Sequence, residues 1–98
     1  ANVHDRRGDG RTALMLASRR GKVGMVTALL GHGASVHDRD NDGGTALLWA
    51  ARGGHDLVVQ LLLEHGANAS EQDNDGSSGL LQAAYGGHGS TVELLLRH

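Results

Sequence analysis

Apolar residues along this chain arrive in short clusters, and the clusters return at a fixed interval. Ala13-Leu14-Met15-Leu16-Ala17 comes back as Ala46-Leu47-Leu48-Trp49-Ala50 and, more loosely, as Gly79-Leu80-Leu81-Gln82-Ala83, each 33 residues after the last. A second set, Leu29-Leu30, Leu62-Leu63 and Leu95-Leu96, keeps the same spacing. This grouping predicts two short helices per unit, at 13–20, 46–53 and 79–86, then at 24–31, 57–64 and 90–97. Thr12, Thr45 and Ser78 stand where an N-cap hydroxyl belongs, and Gly21, Gly54 and Gly87 break each first helix. Gly33 and Gly66 fall where a left-handed residue closes each second helix. The stretches 34–44 and 67–77, rich in Asp, Asn and Gly, read as turns or hairpins.

Helices of about eight residues do not persist alone, so stacking must hold them. A fixed period of this length is the mark of a solenoid, in which each unit buries its apolar face against its neighbours. The fold class is therefore an all-α repeat solenoid of helix-turn-helix pairs joined by β-hairpin or turn loops. It makes one domain over 1–98, divided into repeats at 1–33, 34–66 and 67–98.

Asp9-Gly10-Arg11-Thr12-Ala13-Leu14, Asp42-Gly43-Gly44-Thr45-Ala46-Leu47, Ala50-Ala51-Arg52-Gly53-Gly54-His55 and Leu61-Leu62-Leu63-Glu64-His65-Gly66-Ala67-Asn68 resemble the ankyrin-repeat family. The likeness covers the whole chain. Ala13, Ala46 and Gly79 replace the proline that family prefers, and Met15, Leu48 and Leu81 replace its histidine. Each helix entry should be weakened by about 1 kcal/mol per lost cap-type interaction. Gly79, with Gly89 and Ser90, should make the third repeat the weakest.

Composition narrows the chemistry. The chain has no Cys, Pro or Phe, and Trp49 and Tyr85 are its two aromatics. Neither disulfides nor thiolate metal sites are available. No apolar run approaches the roughly 18 residues of a membrane span. The net charge of −2 hides an asymmetry. Arg6, Arg7, Arg11, Arg19, Arg20 and Lys22 against two carboxylates give the first repeat +4, while the second and third carry −3 each. The stack should have one basic and one acidic end.

Seven histidines invite a metal reading, but the frame separates them: His32, His65 and His98 share one position, His55 and His88 a second, His4 and His37 a third. Neighbours one repeat apart lie about 10 Å apart, the spacing of packed helices, too far to share one ion. Asp38, Asp40 and Asp42 alternate as in a calcium loop, yet Trp49 holds the position of its closing Glu. The glycine-rich strings lack the Lys-Ser/Thr ending of a phosphate loop. Asn68-Ala69-Ser70 is a glycosylation sequon that matters only in a secreted protein. No catalytic, cofactor-binding or metal-binding residue is assigned, and no enzyme activity, cofactor, nucleic-acid partner or membrane association is expected.

The resemblance implies a protein partner held on the concave face formed by hairpin tips and first helices, with cytosolic or nuclear residence as the family default. Carried over by frame, the expected partner-binding residues are Arg6, Asp9, Arg11, Arg19, Arg20, Arg39, Asp42, Trp49, Arg52, Asp75 and Tyr85. Trp49 flanked by Arg19, Arg20 and Arg52, with Tyr85 nearby, has the makeup of a hot spot for an acidic segment. The alternative is an engineered or excised scaffold without an evolved partner. Its ends lack polar capping repeats, so Leu94, Leu95 and Leu96 should lie uncovered and copies should associate end to end.

Overall fold

Two helices that are each too short to stand alone fold back on one another in every repeat, and the three pairs stack side by side. The computed structural model describes residues 2–98. Its helices are α1 (Ala13–Arg19), α2 (Val23–Gly31), α3 (Ala46–Gly53), α4 (Asp56–Glu64), α5 (Gly79–Tyr85) and α6 (Gly89–Leu96). Each lies within two residues of its predicted place. In the first-helix layer α3 packs between α1 and α5, and in the second layer α4 packs between α2 and α6. The array measures 36 × 26 × 20 Å.

The predicted caps form. Thr12, Thr45 and Ser78 accept from the backbone N–H of Met15, Leu48 and Leu81 at 3.3, 3.4 and 3.3 Å. At α1 the Thr12 N–H in turn donates to Met15 Sδ at 3.5 Å, closing a reciprocal cap with a thioether in the place usually taken by a carboxylate. The first five helices end in the same paired closure: Ala34 N–H donates to the Leu29 carbonyl at 3.0 Å and Gly33 N–H to Leu30 at 3.2 Å. Gly33 and Gly66 take the positive φ expected of them.

The core is one cluster of Leu, Val and Ala, concentrated in the middle repeat, which is covered on both sides: Leu47, Ala50, Ala51, Val58, Val59 and Leu62 are wholly buried. The run Leu94-Leu95-Leu96 departs from expectation. Leu95 is buried and Leu94 half-buried, while Leu96 alone is 67 % exposed. Consecutive residues point about 100° apart around a helix, so one of the three reaches α4 and α5 and one must face outward.

The loops carry fewer hairpin contacts than the family pattern implies. Among the described residues there is no strand, only the isolated bridges Arg6–Thr12 and Gln72–Ser78. What aligns the loops is bonding from one repeat to the next. Asn41 N–H donates to the Asp9 carbonyl and Asn74 N–H to that of Asp42, both at 3.0 Å. The Asn41 and Asn74 side-chain amides add bonds to the Gly8 and Asn41 carbonyls at 3.1 and 3.3 Å. Farther back, the His55 and His88 rings sit under the preceding repeat. Nε2–H of each donates to the Arg19 and Arg52 carbonyls, at 2.9 and 3.1 Å. The ring lies so close to Gly21 that a Cβ there would fall 2.4 Å from His55 Nδ1.

Candidate concave recognition face

Trp49 divides the inner face of the stack. It projects from α3, half-buried, and its Nε1–H donates to Asp40 Oδ2 at 3.0 Å. Asp40 is itself almost wholly buried, and its Oδ1 accepts from the backbone N–H of Asp42 and Gly44 at 3.0 and 2.7 Å. Gly44 makes room for this arrangement, since a Cβ there would lie 2.9 Å from Asp40 Oδ2 and 3.2 Å from the indole nitrogen. The third repeat repeats the design with an amide. Gln82, nine residues after Asp73 as Trp49 is after Asp40, donates to Ser77 Oγ at 3.1 Å and reaches Asp73 Oδ2 at 3.4 Å.

Around the indole three guanidinium groups gather. Their central carbons lie 4.3 Å (Arg11), 5.6 Å (Arg52) and 5.7 Å (Arg19) from the ring centroid, all within cation–π range. Arg11, Arg19, Trp49, Arg52 and Gly53 line one cleft of about 400 Å³. Beside it opens a larger groove of about 880 Å³ between the second and third repeats. Trp49, Leu81 and Tyr85 line it along the helices, and Asp42, Asp73 and Asp75 along the loops. Leu81 is 56 % and Tyr85 96 % exposed. The surface thus runs from cationic, through aromatic, to acidic.

The expected site residues divide into three groups. Arg11, Arg19, Trp49 and Arg52 come together in the cleft, and Asp42, Trp49, Arg52, Asp75 and Tyr85 line the groove. Arg6 and Arg39 are committed elsewhere. Arg6 donates to the Gly10 and Arg39 carbonyls at 2.9 and 2.7 Å, and Arg39 repeats the pattern to Gly43 and Gln72 at 2.7 and 2.6 Å. Arg6 also pairs with Asp38 at 3.3 Å. These two guanidiniums pin successive loops together. Asp9 accepts from Arg7 at 2.8 Å and from the Arg11 backbone at 3.1 Å; that backbone bond, then the neighbouring Arg7 and Arg11 charges, hold its carboxyl below the ordinary value. Arg20 is the exposed C-cap of α1, and Arg11 takes the place beside Trp49 expected for it, because one residue further along a helix points about 100° away.

Leu48, Leu81, Ala84 and Asp73 are groove residues that sequence reasoning did not place there. The same nine-residue interval that links Asp40 with Trp49 would have found Asp73 through Gln82. Asp38, Asp40 and Asp42 do not converge, since Asp40 is satisfied by backbone and indole N–H groups and Asp38 turns to Arg6. Among the described residues no three His, Asp or Glu side chains approach closely enough to hold a metal ion. No helix there is long and apolar enough to cross a membrane.

A stack of helix pairs offering a loop-and-first-helix face defines a class of repeat protein built for contact. A family model described as ankyrin repeats (3 copies) matches residues 1–73, and the chain belongs to that family. No curated protein matches the sequence. Ankyrin repeats are generally protein–protein interaction modules and typically carry no catalysis. Residues 74–98 lie outside the match, yet α5 and α6 continue the stack in the same frame.

Proposed function

We propose that this protein is a non-catalytic interaction module that grips a partner protein along its concave face. The observation that carries the reading is the Trp49 ridge, with three guanidiniums around the indole and an apolar, acid-edged groove beside it that Arg52 shares. Aromatic and Arg side chains that are already ordered lose little entropy on binding, which is why such groups dominate interface energetics. A partner segment that fits places acidic residues against Arg19 and Arg52, an apolar side chain against Trp49 and Leu81, and a basic residue toward Asp73 and Asp75.

The test uses Arg52→Glu with Tyr85→Ala, two exposed positions that leave the Trp49–Asp40 bond intact. Affinity for a protein captured by the native chain should fall at least tenfold in this variant, with circular dichroism unchanged. Neutralising Arg19, Arg20 and Arg52 together without any loss of affinity would remove the charge part of the reading. Leu96, exposed at the end of α6, supports a second reading in which copies associate end to end. A scattering mass that stays monomeric across concentration would exclude it.

A further inference from the structure

We propose that the cleft between Arg11, Arg19, Trp49 and Arg52 receives a phosphorylated side chain of the partner. This rests on the interaction reading above and names the chemistry its basic half selects. Arg11 is already answered by carboxylates, with Nε 3.5 Å from Asp9 and 4.0 Å from Asp40. Arg19 and Arg52 are different. Among the described residues neither guanidinium forms an ion pair or a side-chain hydrogen bond, although both lie beside the same indole and line the same cleft. Two guanidiniums that share one indole and one cleft, neither of them ion-paired, make a place for an anion that both can reach.

The count of charges favours a phosphoryl group over a carboxylate. A phosphate monoester carries close to two negative charges at neutral pH and three acceptor oxygens, whereas Glu or Asp offers one charge and two oxygens. One dianion balances Arg19 and Arg52 together, and guanidinium forks bind phosphate oxygens in bidentate fashion. The backbone that carries both residues is anchored. The Arg19 carbonyl is held by His55 and that of Arg52 by His88, so the two forks project from fixed ends. The cleft opens beside the larger groove, where the rest of a peptide would lie.

Trp49 is the chain's one tryptophan, so its fluorescence reports on the cleft directly. The probes are acetyl-Ala-phosphoserine-Ala-Leu-Ala-amide, its unphosphorylated form, its Glu form and inorganic phosphate, each titrated into the intact protein at low salt. We expect saturable quenching or shift with the phosphopeptide, at least tenfold weaker binding of the Glu and unphosphorylated peptides, and loss of the response in Arg19→Gln/Arg52→Gln. Inorganic phosphate should bind more weakly than the phosphopeptide. Equal binding of the Glu form would make this a general acidic-side-chain site and overturn the proposal. So would undiminished binding by the double variant, or phosphate alone binding as tightly as the peptide. A partner lost on Arg52→Glu/Tyr85→Ala, with no Trp49 response to the phosphopeptide, would leave the interaction reading standing and remove only this inference.

Discussion

Asp40 and Trp49, one in a loop and one on a helix nine residues later, are joined by a 3.0 Å hydrogen bond from the indole to a carboxylate that is otherwise buried. The carboxylate spends its other oxygen on two backbone N–H groups. The side chain proposed to meet a partner is therefore also tied into the fold. Asp40→Asn must turn its amide N–H₂ either to the two backbone donors or to the single indole donor, so the indole is the one displaced, and a buried charged hydrogen bond is worth roughly 1.5–3 kcal/mol. We expect a loss of about 2 kcal/mol in urea unfolding, within that range, and a red-shifted Trp49 emission in the folded protein as the indole is released.

Ser18 is wholly buried in α1, and its Oγ has no hydrogen-bond partner among the described residues. Ala51 and Ala84 occupy the same place in the other repeats. Replacing an unanswered buried hydroxyl removes a desolvation cost of about 1–3 kcal/mol. Ser18→Ala should raise the melting temperature by about 4–8 °C, the equivalent of roughly 1 kcal/mol in a domain of this size. An unchanged or lower Tm would show that the hydroxyl finds a partner in solution.

Gly79 opens α5 with a backbone that alanine can adopt. A Cβ there would meet Leu95 Cδ1 at 3.4 Å and Ala51 Cβ at 3.7 Å, ordinary packing distances. Helix propensity alone favours the change by about 1 kcal/mol. Gly79→Ala should therefore stabilise the third repeat, seen as slower hydrogen exchange across α5 and α6 than in the native chain.

Two carboxyls respond to pH with opposite sign. Glu71 is buried beneath the Thr45 hydroxyl, which donates to it, and burial pushes its carboxyl above the usual value of 4.5. Its ionised form is thus disfavoured in the fold, so it costs stability as pH rises through the folded value. Glu71→Gln keeps an acceptor for Thr45 and should be more stable than the native chain at pH 7, with the difference vanishing below 4.5, where both side chains are neutral.

Asp56 does the reverse. At the start of α4 it accepts from the Ser90 and Thr91 hydroxyls of the next repeat, and those bonds hold its carboxyl below 3.8. Its stabilising effect is full above 3.8 and disappears as pH falls through the lower folded value. Asp56→Ala should lower the melting temperature at pH 7 and leave it nearly unchanged once Asp56 is protonated. A deficit that persisted at that acidity would mean the loss is one of packing and not of charge.

The repeat made the architecture readable, because Thr12, Thr45 and Ser78 or Gly33 and Gly66 have the same job in each copy. It was less informative about charge. Arg6 and Arg52 look alike in a sequence, but a 33-residue step brings Arg6 against the Arg39 carbonyl, while Arg52 is left free on the face. Backbone carbonyls have no letter in the sequence, so their claims on a guanidinium are invisible there. Arg11 was legible as a concave residue, but not that the Asp40 carboxylate holding the indole would also lie 4.0 Å from its Nε. Leu95 and Leu96 show the same limit in the core, where one step around the helix separates a buried side chain from an exposed one.

The bonds from Asn41 to Asp9 and from Asn74 to Asp42 run repeat to repeat along one edge of the stack. The opposite edge is held by side-chain packing where α2 meets α4, while between α4 and α6 the Ser90 and Thr91 hydroxyls also bond to Asp56. Short directional bonds resist extension more steeply than dispersion contacts do. The first junction is therefore bonded along its loop edge alone, and the second along both edges. Under load the first repeat should hinge away from the second at α2 and α4 while the loop edge keeps its pitch, and the second and third repeats should move as one body.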